Sequence, residues 1–207
     1  MKNMTLRSSL ALLCGAILSA CGGSDGSLQI AGSITGLTKD GLVLVNEGNG
    51  DEYIVPAENR STFTFKKLVS VDDNFNVKIK GDGPAGATCV VNAGSGKANV
   101  YNAYSVQVIC TNDPRKLGGA VVNLKADGLV MANGADTVSV PAGASSFVFP
   151  HTVGDGTAYG INILEQPKTQ RCTITGNAVG TIGSQDLIVG ATTSPAVTLT
   201  CADVPAT

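Results

Sequence analysis

Asp40-Gly41-Leu42-Val43-Leu44-Val45 opens on a turn pair and runs into four consecutive apolar residues, which stop at Asn46-Glu47-Gly48-Asn49-Gly50. Tyr53-Ile54-Val55 follows and ends at Pro56, and Thr62-Phe63-Thr64-Phe65 then alternates polar and aromatic with a period of two. Short segments of β-branched and aromatic residues, punctuated by Gly, Asn and Pro, are strand signals: the side chains fit a pleated surface, and the punctuating residues supply the backbone angles that a reversal needs. Working outward, Leu28-Gln29-Ile30 and Ser33-Ile34-Thr35 precede this stretch. Phe75-Asn76-Val77-Lys78-Ile79 and Val106-Gln107-Val108-Ile109-Cys110 follow it with the same alternation. No stretch keeps a helical period beyond two turns.

The same pattern occurs twice. Asp40-Gly41-Leu42-Val43 returns as Asp127-Gly128-Leu129-Val130, Val55-Pro56-Ala57 as Val140-Pro141-Ala142, and Phe63-Thr64-Phe65 as Phe147-Val148-Phe149. Phe75-Asn76-Val77 then matches Tyr159-Gly160-Ile161, Pro84 matches Pro167 and Cys89 matches Cys172. The offset drifts one way, from 87 to 83, as loop deletions in a duplicated module produce. About seven strands in each copy, with regular turns, predict an all-β fold of two tandem immunoglobulin-like β-sandwich modules over residues 28–113 and 114–207. Period two places Phe63, Phe65, Phe75, Val77 and Ile79 on the inward face, together with Phe147, Phe149, Tyr159, Ile161 and Ile163.

Composition agrees and excludes several function classes. The chain has 207 residues with 26 Gly and 8 Pro, and its 43% hydrophobic content can fill a core. Lys and Arg number 14 against 16 Asp and Glu, so there is no basic field for nucleic acid. One His leaves little for acid–base or metal chemistry.

Residues 1–20 carry Lys2 and Arg7 ahead of the apolar run from Leu10 to Leu18, the pattern of an export signal. That run is too short for a permanent membrane span, and no later apolar run reaches the required length. Leu18-Ser19-Ala20-Cys21 resembles the lipobox of bacterial lipoproteins. The resemblance implies cleavage before Cys21, lipid on its sulfur and an acylated amino terminus, a multi-chain anchor that holds stably. Residues 21–27 then form the lipidated Cys and a small, polar tether. Gly22 stands where the family's inner-membrane retention signal has Asp, so the outer membrane is the expected destination in a Gram-negative host.

With Cys14 removed and Cys21 acylated, Cys89, Cys110, Cys172 and Cys201 remain, one early and one late in each copy. In an oxidising compartment the economical pairing is Cys89 with Cys110 and Cys172 with Cys201. Gly41-Leu42-Val43-Leu44, Phe63-Thr64-Phe65, Cys89-Val90-Val91 and Val108-Ile109-Cys110 resemble a tandem repeat of exported, often lipid-anchored bacterial proteins, as do their counterparts in the second copy. That resemblance implies a β-sandwich spacer or interaction module and supplies no catalytic residue. The implied partners are the membrane, through the anchor, and an envelope or extracellular protein.

Chemical motifs are sparse. Gly81-Asp82-Gly83-Pro84-Ala85-Gly86 matches G-x-G-x-x-G, but a β-type segment follows it, so no helix N-terminus is there to hold a phosphate. His151 follows Pro150 as a loop residue, and no Ser lies in G-x-S-x-G, so a hydrolase is not expected. Glu47, Asp51, Glu52, Asp72 and Asp73, with Asp136 and Asp155 in the second copy, read as solvated turn carboxylates rather than a Ca²⁺ site. No metal or cofactor is expected. The remaining candidate is Asn99-Val100-Tyr101-Asn102-Ala103-Tyr104, where Tyr101 and Tyr104 have no aromatic counterpart in the second copy and offer faces for a glycan or small ligand. The alternative for Tyr104 is a core position at the last strand.

Overall fold

The computed structural model describes residues 27–193 and 195–205. The signal segment and Cys21 lie outside the described residues. Every regular element among the described residues is a strand. The first copy contains Leu28–Thr35 (β1), Val43–Asn46 (β2), Asp51–Ile54 (β3), Thr62–Val69 (β4), Asn74–Ile79 (β5), Ala87–Asn92 (β6), Ser95–Lys97 (β7) and Val106–Asn112 (β8). Pro114–Arg115 (β9) begins the second copy, followed by Gly118–Val122 (β10), Leu129–Asn133 (β11), Asp136–Val140 (β12), Ser146–Val148 (β13) and Val153–Gly154 (β14). Ala158–Glu165 (β15), Gln170–Gly176 (β16), Val179–Thr181 (β17) and Val197–Asp203 (β18) complete it.

Each copy folds two four-stranded sheets around its own core. The first has the orders β4-β1-β8-β6 and β3-β2-β5-β7; the second repeats them as β13-β10-β18-β16 and β12-β11-β15-β17. A small β9–β14 pair is added where the copies meet. One apolar cluster draws only on residues 28–110 and the other only on residues 117–201.

The strand order corrects the immunoglobulin expectation. That fold groups its first, second, fifth and fourth strands in one sheet and ties its two sheets together with a disulfide. Here β1 lies between β4 and β8 and runs parallel to β8, while β2 lies between β3 and β5. The disulfides Cys89–Cys110 and Cys172–Cys201 join neighbouring strands of one sheet at directly opposed positions. Alternation fixes which face of a strand turns inward; it does not fix which strand lies beside it.

The two stretches at residues 28–35 form one strand, with a register shift between Gln29 and Ala31. Phe63 and Phe65 meet edge to face at 5.7 Å, and Phe147 and Phe149 do so at 5.6 Å. Gly32 in β1 and Gly119 in β10 make room for these rings. A Cβ on Gly32 would come within 2.8 Å of Phe63, and one on Gly119 within 2.6 Å of Phe147.

Two acidic residues that read as solvated are part of this frame. Asp51 is buried, and its Oδ2 accepts the Lys67 backbone N–H at 2.6 Å while Oδ1 accepts that of Glu52 at 3.1 Å. Asp136, one repeat later, accepts the His151 backbone N–H at 3.2 Å and meets His151 Nδ1 at 2.8 Å. Each carboxylate therefore ties the edge strand of one sheet to the chain at or just beyond the F-x-F strand of the other. Asp51→Ala leaves two backbone donors unpaired and should cost about 1–2 kcal/mol in a urea titration. An unchanged midpoint contradicts the brace.

Candidate functional site

The loop between β7 and β8 is built by two asparagines. Asn99 Oδ1 accepts the backbone N–H of Tyr101 at 2.9 Å and of Asn102 at 3.1 Å, and Asn102 Oδ1 accepts that of Asn99 at 2.9 Å. Asn102 Nδ2 donates to the Lys97 carbonyl at 2.8 Å, and the Ala31 N–H reaches the Ala103 carbonyl at 2.8 Å. Satisfying the backbone from within frees the intervening side chains to point outward. Tyr101 is 88% exposed and Tyr104 60% exposed, so Tyr104 is not a core residue. Tyr104 borders a shallow groove of about 410 Å³, with Ala31, Thr62, Thr64 and Val106 among its walls. Tyr53 instead turns toward the core, its ring 6.1 Å from that of Phe63.

The second notable constellation lies where the copies meet, and its centre is Asp155. Its side chain is 1% exposed, with Lys39 Nζ 2.6 Å from Oδ1 and Arg115 Nη2 3.3 Å from Oδ2. Arg115 also reaches Asp113 at 3.2 Å. The Asp155 N–H donates to the Asp113 carbonyl at 2.8 Å, and Thr38 Oγ1 lies 2.7 Å from the Asp155 carbonyl and 2.8 Å from Asn112 Oδ1. Gly86, the last glycine of the G-x-G-x-x-G match, has φ +83°, and any side chain there would strike the Asp155 carboxylate. Its function is close approach, and the strand β6 follows it directly.

Burial alone would raise the pKa of Asp155. The hydrogen bonds and charges of Lys39 and Arg115 outweigh that penalty and hold it below the ordinary carboxylate value. The carboxylate is therefore ionised at the junction and joins a first-copy lysine to a second-copy arginine. This corrects its reading as a solvated turn residue. A buried charge persists only when paired, and the pairing here spans the two copies.

The tyrosine loop and the junction are separate. The remaining candidate acids stay apart as well: among the described residues no cluster of three or more His, Cys, Asp or Glu side chains has metal-binding geometry. His151 is 82% exposed, and its contact with Asp136 belongs to the brace between sheets.

No family model matches the chain, and no curated protein matches it. Among solved structures it is similar to a C-terminal fragment of the pilus adhesin SpaC from Lactobacillus rhamnosus GG. The identity is 8% over 86% of this chain and 98% of that one, with a TM-score of 0.36. An iodide-soaked crystal of the fragment gives 9% identity, 87% and 98% coverage and a TM-score of 0.32. Neither likeness is close enough to assign a fold or a function.

Proposed function

We propose that this protein is a lipid-anchored, non-enzymatic component of the bacterial cell envelope, in which two β-sandwiches in series act as a spacer and interaction module. The observation that carries this reading is the Asp155 junction. A carboxylate buried between the copies and paired with a cation from each fixes one sandwich on the other, as a spacer requires. Two disulfides support export to an oxidising compartment, and the lipobox at Leu18–Cys21 supports the anchor. Gly22 after the acylated Cys favours the outer membrane.

The anchor is tested by Cys21→Ser followed by cell fractionation. The expected result is accumulation of unprocessed chain and loss of the lipid-dependent membrane fraction. Normal processing with unchanged membrane retention removes the anchor from the proposal. A second reading, glycan or small-ligand binding, draws on the exposed Tyr104 and its groove, whose volume falls within the usual ligand range. A glycan array separates the two: binding that Tyr104→Ala abolishes establishes the second reading, whereas a silent array with a cross-linked envelope protein supports the first.

A further inference from the structure

The two ends of the first sandwich differ in what they meet. One end, carrying Thr38, Lys39 and Gly86, is occupied by the second copy through Asp155. The other is the end where the chain enters. Leu28 pairs with Val69, so the turn after β4 lies beside the start of β1. The Asp72 N–H donates to the Ala98 carbonyl at 2.9 Å and the Ala98 N–H to the Asp73 carbonyl at 2.8 Å, which brings the tyrosine loop to the same end. Val71, Val100 and Tyr101 are all exposed there.

The repeat adds an independent observation. The offset of 84 that aligns Phe75 with Tyr159 places Val71 where the second copy has Asp155. In the second copy this position is the docking point, and a carboxylate there meets cations. In the first copy the same position presents an exposed apolar side chain next to the exposed Asp72 and Asp73, at the end where Val100 and Tyr101 are also exposed. The surface at this end suits a partner that takes aliphatic side chains together with an amphipathic ring, as the interfacial zone of a bilayer does.

The length of chain that precedes the fold identifies that partner. Only residues 22–27, Gly-Gly-Ser-Asp-Gly-Ser, separate Cys21 from Leu28. A Gly/Ser-rich segment of this length spans about 15 Å on average and roughly 25 Å at full stretch. We propose that the chain-entry end of the first sandwich, through Val71, Val100 and Tyr101, rests on the lipid bilayer that holds Cys21. This inference rests on the lipid anchor proposed above and adds a second contact to it. It orients the spacer: the tyrosine loop lies against lipid and the second sandwich projects away from it.

The chain has no Trp, so one substitution creates a unique reporter. Full-length mature, lipidated protein carrying Tyr101→Trp is reconstituted into phosphatidylethanolamine–phosphatidylglycerol vesicles containing brominated lipid. Val179→Trp, at an exposed position of β17 in the second sandwich, is the matched control. The expected result is flotation of both variants, with quenching at position 101 at least about twofold greater than at 179, since an interfacial ring sits at headgroup depth. Flotation with equal quenching at both positions overturns the bilayer contact and leaves the anchor standing. Shielding at position 101 that appears only on addition of soluble glycan also overturns it. Failure to float overturns the anchor, and the bilayer contact with it.

Discussion

Asp155→Ala is expected to uncouple the two sandwiches. Breaking one partner out of a buried ion pair typically costs 3–5 kcal/mol, because the opposite charge is left without compensation. Lys39 and Arg115 keep 29% and 23% of their side-chain surface in water, which places the loss near the lower end, at about 3 kcal/mol. Each sandwich retains its own core and disulfide, so the loss falls on the junction. Limited proteolysis should then cut between Asn112 and Lys116 while both halves survive, and the wild-type chain should resist under the same conditions. Equal cleavage rates in the two proteins would falsify the junction as a structural clamp.

The pH dependence follows from the same ion pairs. Because the folded chain holds Asp155 below the ordinary value of 3.8, its stabilisation is fully present above that value and is lost as the pH falls through the lower one. Protease resistance of the junction should therefore persist in mild acid and fail only in strong acid. Asp155→Asn, which keeps the shape and loses the charge, should be cleavable at neutral pH as well.

Much of the frame was legible because it obeys a simple period. The rings of Phe63, Phe65, Phe75, Phe147, Phe149 and Tyr159 are buried as strand alternation requires, and Val77 and Ile161 are buried beside them. Asp51 and Asp136 carry a positional signal of their own. They stand in equivalent places in the two copies, at the offset of 85 that also relates Val55 to Val140, and two acids preserved through a duplication point to a shared structural duty. Asn99 and Asn102 held a second one, since Asn at three-residue spacing is suited to reciprocal side-chain capping of a turn. Strand order was not legible, because the parallel pairing of β1 with β8 depends on contacts between residues some 75 apart. Nor was Asp155, whose counterpart is Val71: a residue that joins two copies has no reason to appear in both.

Replacing a disulfide pair should show how independent the sandwiches are. Cys89–Cys110 and Cys172–Cys201 close loops with sequence separations of 21 and 29. By the loop-closure model each contributes about 3 kcal/mol through restriction of the unfolded chain. The first bridge lies on the β6–β8 pair, and β8 also holds β1 in parallel, so it staples the strand that carries the chain from the first sandwich into the junction. The Cys89→Ala, Cys110→Ala double variant should therefore lower the urea midpoint of the first sandwich by an amount equivalent to about 3 kcal/mol. In the Asp155→Ala background the second sandwich, whose core shares no residue with the first, should unfold near its original midpoint. Site-specific Trp reporters, one in each sandwich, separate the two transitions. With Asp155 in place the junction should draw the second midpoint down with the first, and a second midpoint that stays put while Asp155 is present contradicts the coupling. If neither midpoint moves, the bridges are dispensable and the strand ladders alone hold the sheets.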